Sequence, residues 1–174
     1  MDSTTVATAA DAADAPAPLP ATPEAAAREQ QATSQAVDRQ VGLPPWQGPV
    51  TRRPAFVSET EWQVLREVAR QRVDYERELL RIVNNLRFHK LLERWRAQAA
   101  AGDTPGRRAL AGQLLDELPL RVRREEYSVA EAEKLQHELL AALEPDPARR
   151  AARAAVEAAR LRQRLLQEQG VPVP

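Results

Sequence analysis

Cysteine is absent from this chain of 174 residues, which excludes disulfides, thiolate metal sites and thiol catalysis. The absence does not decide the compartment, because helical proteins live without cysteine in either redox setting. Glycine is scarce at six residues, and two Phe and two Tyr come with little clustering of β-branched side chains. Those shortages argue against a sheet protein. No window approaches ~18 consecutive apolar residues, so no transmembrane helix is expected. Nor is there a basic stretch followed by an apolar one, the pattern of a signal peptide. Only Lys90 and Lys134 are lysines among 25 basic residues. GC-rich coding accounts for that, as does a surface suited to the bidentate carboxylate pairing that arginine makes.

The usual marks of chemistry are missing too. The glycines stand singly, so no phosphate-cradling loop is formed. There is no G-x-S-x-G elbow, and of the four serines Ser58 and Ser128 read as helix caps. His89 with Glu93, and Glu133 with His137, have helical i, i+4 spacing, but two ligands apiece fall short of a metal site. No enzyme activity, cofactor or metal is expected. Formal charge balances at zero with a pI near 6.8, which weakens the case for nucleic acid as main partner.

Ala, Leu, Glu, Gln and Arg dominate, the residues that cost least in a helix, and the fold class is all-α. The plan is one long helix with three shorter ones, preceded by a disordered linker. Residues 1–45, rich in Ala and Pro with few large apolar side chains, cannot bury enough to offset their ordering. After Pro23 a transient helix over Glu24 to Val41 has little to pack with. Residues 46–57 form an extended Pro/Trp segment in which Trp46 either docks a partner or pins the segment to its own domain.

The helical domain occupies residues 58–169, with a tail at 170–174. It opens on a capping box, Ser58 with Glu61, and a hydrophobic staple of Val57 with Trp62. With no Gly or Pro before Gly102, the spacing predicts a single helix from Ser58 to about Ala101, on the order of 60 Å long. One stripe holds Val64, Leu65, Val68, Tyr75, Leu79, Ile82, Val83 and Leu86, with Arg72 intruding. A second face, with Phe88, Leu91 and Trp95, takes over after Asn84-Asn85. Thr104-Pro105 starts a helix that Pro119 should end, leaving 119–127 as a connection. Ser128 with Glu131 opens the next, and Asp146-Pro147 the last. These three shorter helices should share the faces of the long one, or leave an elongated molecule with apolar surface exposed.

Desolvated aromatics carry most interface energy, so Trp62, Tyr75, Phe88, Leu91 and Trp95 are the candidate protein-binding residues. The same residues serve equally well as core. Arg149, Arg150, Arg153, Arg160, Arg162 and Arg164, with Arg121, Arg123 and Arg124, suggest a nucleic-acid or membrane surface, or else pairing with carboxylates. Self-association through the long helix is a further alternative.

Two segments carry a family pattern: Asn85-Leu86-Arg87-Phe88-His89-Lys90-Leu91-Leu92-Glu93-Arg94-Trp95, and Glu131-Ala132-Glu133-Lys134-Leu135 through Leu143-Glu144-Pro145-Asp146-Pro147 to Arg150. Together they resemble bacterial helical accessory proteins of the phospholipase-C-accessory and lipase-chaperone kind, over residues 60 to 168. The resemblance implies a non-enzymatic foldase or export helper that embraces a secreted lipolytic enzyme in the periplasm. The chain departs from the lipase chaperones in lacking their R-x-x-F-D-Y signature and an N-terminal membrane anchor, although residues 1–45 look like the linker that follows such an anchor.

Overall fold

The stretch expected to be one helix from Ser58 to Ala101 is two helices in the computed structural model, which describes residues 22–39 and 44–168. Among the described residues the elements are α1 (Pro23–Arg39), α2 (Glu59–Arg70), α3 (Tyr75–Ala97), α4 (Pro105–Arg123), α5 (Val129–Leu143) and α6 (Pro147–Glu168), with no strand. A 3-10 turn, Gln98–Ala101, extends α3 before Gly102 (φ 80°) turns the chain away.

The break between α2 and α3 needs neither glycine nor proline. Gln71 and Arg72 close α2 by donating to the carbonyls of Val68 and Ala69. Asp74 then caps α3 by accepting from the Arg77 amide at 3.0 Å, with Glu76 and Glu78 in the first turn. An N-cap and two early carboxylates favour a helix start here. The break also lifts the charged Arg72 out of the apolar stripe, and α2 packs back against α3.

The face change read at Asn84-Asn85 comes from neighbours packed on more than one side of the helix. Helix α3 runs unbroken there and buries Leu79, Ile82, Val83, Phe88, Leu91, Leu92 and Trp95 because α1, α2 and α4 all pack on it. Asn84 is buried and fixes the Trp46 segment, donating to the Trp46 carbonyl at 3.0 Å and accepting from its amide at 2.7 Å. Trp46 therefore pins its own chain. Val50, Phe56 and Val57 follow it into the core.

The start of α2 is tied down from three sides. Ser58 and Glu61 complete their reciprocal capping box. Lys90 donates to Glu61 at 2.7 Å and to the Phe56 carbonyl at 2.8 Å. Glu29 of α1 accepts from the Glu59 amide. Residues 23–39 thus form a helix docked on α3, where a linker was expected, burying Thr33 and Ala36. The expectations for 1–21, 40–43 and 169–174 lie outside the described residues.

Helix α4 passes through Pro119 and ends four residues later. An internal proline costs about 3 kcal/mol through a lost hydrogen bond and a clash. Burial of Leu118 and Val122, at about 1.5–3 kcal/mol each, offsets that. A Schellman turn closes α4: the Glu125 amide donates to the Val122 carbonyl and the Glu126 amide to that of Arg121, both at 2.9 Å. Glu125 sits at φ 58°, the only non-glycine residue described at positive φ.

The three later helices do not share the faces of α3. Only α4 packs substantially on it, while α5 lies on α4, and α6 on α4 and α5. Leu110, Leu114, Leu118, Leu135, Leu139 and Leu140 fill the layers between them.

Candidate functional site

A chain of alternating charges crosses from α3 to the turn after α4. Glu78 accepts from Arg81 at 2.7 and 2.9 Å, and Arg81 reaches Glu126 at 3.1 Å. Glu126 also takes Arg121 at 2.8 Å, Arg121 lies 3.4 Å from Glu117, and Glu117 pairs with Arg87. Arg87, Glu117 and Arg121 are buried, and the Arg121 guanidinium lies 5.2 Å from the centre of the Phe88 ring. The local sequence dictates part of this. Glu117 and Arg121 are one helical turn apart, and the positive φ of Glu125 brings Glu126 back over the end of α4.

Electrostatics follow the geometry. The hydrogen bond from Arg81 holds the Glu78 carboxyl below the usual carboxylate range, and Arg81 is raised in turn. Burial, then the charges of Arg121 and Arg123, push the pKa of Arg124 down. Burial raises Tyr127, whose ring stacks on His89 with centroids 5.9 Å apart.

A second feature is a cleft of about 570 Å³ between α1, the start of α2 and the later part of α3. Glu29, Gln30, Thr33 and Ser34 face Ser58, Thr60, Glu61, Lys90, Glu93 and Arg94 across it. Most of these groups already serve the fold. Thr33 and Ser34 hydroxyls donate to carbonyls of their own helix, Lys90 is held by Glu61, and Glu29 caps α2. No histidine lines the cleft, and no cluster of three metal-ligating side chains occurs among the described residues.

The third feature is apolar. Val64, Val68 and Val73 are exposed, with Val73 fully in solvent and Val64 at 57%. Val64 and Val68 were read as part of an apolar stripe on the long helix. The inner face of α2 is instead Trp62, Leu65 and Ala69, so Val64 and Val68 lie on its outer side, and Val73 sits in the turn that follows.

Most of the candidate binding residues take the core role that stood beside the interface role. Trp62, Phe88, Leu91 and Trp95 are all buried, so in this fold they are core and not a surface for a partner. Phe88 is covered by Arg121 and by the edge of Tyr127, and Trp95 by Arg107 at 4.9 Å. Tyr75 remains half-buried beside Trp62 and Arg66, at a groove of about 300 Å³. Four helices meet around those large side chains, and core and interface draw on the same residue types.

Much of the arginine set read as a basic surface is paired within the molecule. Arg121 is buried, Arg150 donates to the Glu144 carbonyl, Arg160 pairs with Glu157, and Arg162 with Glu133. Arg149 and Arg153 remain exposed, and Arg164 lies where side chains are not described. No helix among the described residues is long and apolar enough to cross a membrane. Compared with protein-family models, curated proteins and solved structures, the chain matches none.

Proposed function

We propose that this chain is a non-catalytic helical accessory protein that binds a protein partner. The carrying observation is the outer face of α2: Val64 and Val68 lie in solvent, with Val73 exposed in the turn that follows, while the opposite side of the same helix is core. Exposed apolar side chains gathered on one helix face gain free energy when a partner covers them. The charge chain supports this reading in another way. Its groups are engaged with one another inside the protein, where they hold a scaffold in place. The resemblance in residues 85–95 and 131–150 adds a partner class, a secreted lipolytic enzyme, and with it a periplasmic setting.

Capture from an extract of the native organism tests the reading, using the full chain and a Val64→Asp/Val68→Asp variant whose circular dichroism matches it. Recovery of a lipase or phospholipase by the parent chain but not by the variant is the expected result. Recovery of no protein partner by a folded parent chain overturns it. The same valines would suit a second copy, and light scattering separates the two: a dimer that the double variant dissolves assigns the face to self-association.

A further inference from the structure

Helix α1 holds its place with little packing. It lies on α3 and buries Thr33 and Ala36, and the Thr33 hydroxyl turns back to the Glu29 carbonyl of its own helix. The Glu29 carboxylate is better seated. It accepts from the Glu59 amide at the positive end of α2 and lies 3.9 Å from the Arg53 guanidinium. The seat is built by the body of the protein. Arg53 donates to the Val57 carbonyl at 2.6 Å and lies 3.3 Å from the Glu59 carboxylate, and the Ser58–Glu61 capping box fixes the first turn of α2. These contacts do not involve α1.

The fit between α1 and this seat is incomplete. Ala26, Gln30 and Ser34 share a face of α1 with Glu29, at helical spacing, and form one wall of the cleft of about 570 Å³. Thr60, Glu93, Arg94 and Ala97 lie on the other side. Protein interiors are packed as densely as organic crystals, and side chains that face a gap forfeit contact energy. The alkyl stems of Lys90 and Arg94, with the Ala97 methyl, give the far wall an apolar part that longer side chains would cover.

We propose that α1 is an exchangeable strap, which fills imperfectly a helix seat that an acidic helix of the protein partner takes over. The incoming helix is acidic because Arg53 and the Glu59 amide attract a carboxylate, and helical because the resident is a helix. It places larger side chains where Ala26 and Ser34 leave the cleft open. The source of that helix rests on the accessory reading above; the strap itself rests on α1 and its seat. Until the exchange, α1 competes with the partner from within the same chain, at high effective concentration.

The probe is a fluorescent peptide with the sequence of residues 22–39 carrying Ala26→Leu and Ser34→Leu, titrated into full-length protein and read by anisotropy. It should bind the parent chain weakly. The full-length Ala36→Asp variant, whose buried carboxylate releases its own α1, should bind it at least about tenfold more tightly. The main urea transition of that variant should stay near the parent's. In the same background Arg53→Met should weaken the peptide about tenfold, the worth of a charge-assisted hydrogen bond, and so should Glu29→Ala in the peptide. Equal binding by the parent and Ala36→Asp would mean that α1 does not cover the seat, and would overturn the exchange. Loss of the whole urea transition in Ala36→Asp would make α1 part of an indivisible core and overturn the strap. A peptide indifferent to both Arg53→Met and Glu29→Ala would overturn the carboxylate seat. A dimer of the full-length protein that the peptide dissolves, read by light scattering, would assign the seat to α1 of a second copy and overturn the partner's helix as its occupant. If the peptide binds neither chain, the exchange fails, while capture through the outer face of α2 still decides the accessory reading on its own.

Discussion

Asn84 and Trp46, 38 residues apart, are joined by a reciprocal pair of hydrogen bonds from one side-chain amide to both backbone groups of the tryptophan. The carboxamide supplies a donor and an acceptor together, which neither a carboxylate nor an apolar group can do. Asn84→Leu should destabilise the protein by about 1–3 kcal/mol, the cost of leaving partly buried backbone groups unmet. Asn84→Asp should fall between, keeping the acceptor and losing the donor. Urea denaturation with tryptophan emission measures both, and the Leu variant should emit further to the red as Trp46 is released.

Glu117 stands between two buried arginines. Its removal as Glu117→Leu should cost about 3–5 kcal/mol, because it takes a buried carboxylate away from the buried Arg87 and Arg121. Arg121 keeps Glu126. The double change Arg87→Met/Glu117→Leu should therefore be milder than Glu117→Leu alone. A double-mutant cycle by chemical denaturation reads the coupling directly.

Glu125 occupies a left-handed backbone conformation that disfavours side chains with a β-carbon. Since its side chain is exposed and makes no ion pair among the described residues, Glu125→Gly should stabilise the fold by about 1 kcal/mol. Calorimetry should show a higher melting temperature with the charge chain intact.

Acid should weaken the fold through Glu78 and Glu61. Arg81 lowers the first carboxyl. For Glu61, burial pushes upward, but the hydrogen bonds from Lys90 and Ser58 prevail and lower it. With folded pKa values below the unfolded ones, the unfolded chain takes up protons first as pH falls. The stabilisation is complete above the unfolded carboxylate value of about 4.3 and is lost as pH drops through the folded values. Denaturation midpoints measured from pH 6 downward (about the top of the carboxylate range) should decline in this window, and Glu78→Gln should flatten the decline.

Local chemistry made the helix starts readable. Ser58 with Glu61, Thr104-Pro105, Ser128 with Glu131 and Asp146-Pro147 all begin helices where their spacing says they should. The break before Asp74 was hidden because its cap competes with residues that are otherwise content in a helix. Pro119 misled in the opposite direction, since the burial that carries α4 past it is a tertiary effect. The site was less legible. Glu117 and Arg121 at i, i+4 look like a solvated surface pair, and nothing in their spacing points to Arg87, 30 residues earlier. The aromatic residues were identifiable by size, but whether size serves core or partner depends on which helices cover them. The outward turn of Val64 and Val68 follows from the same packing.

Among its described side chains, the only apolar or hydroxyl ones that helix α1 buries fully are Thr33 and Ala36, and an open cleft lies beside its middle turns. Ordering a residue costs about 1–2 kcal/mol, and burying a methyl returns under 1. The molecule should therefore have two levels of stability. Helices α3, α4 and α5 should unfold as one cooperative unit, while α1 should open on its own at a free energy well below that of global unfolding, a difference that amide hydrogen exchange would read. Each opening removes the Glu29 carboxylate from the Glu59 amide, so the first turn of α2, the helix that carries the valine face, loosens with it.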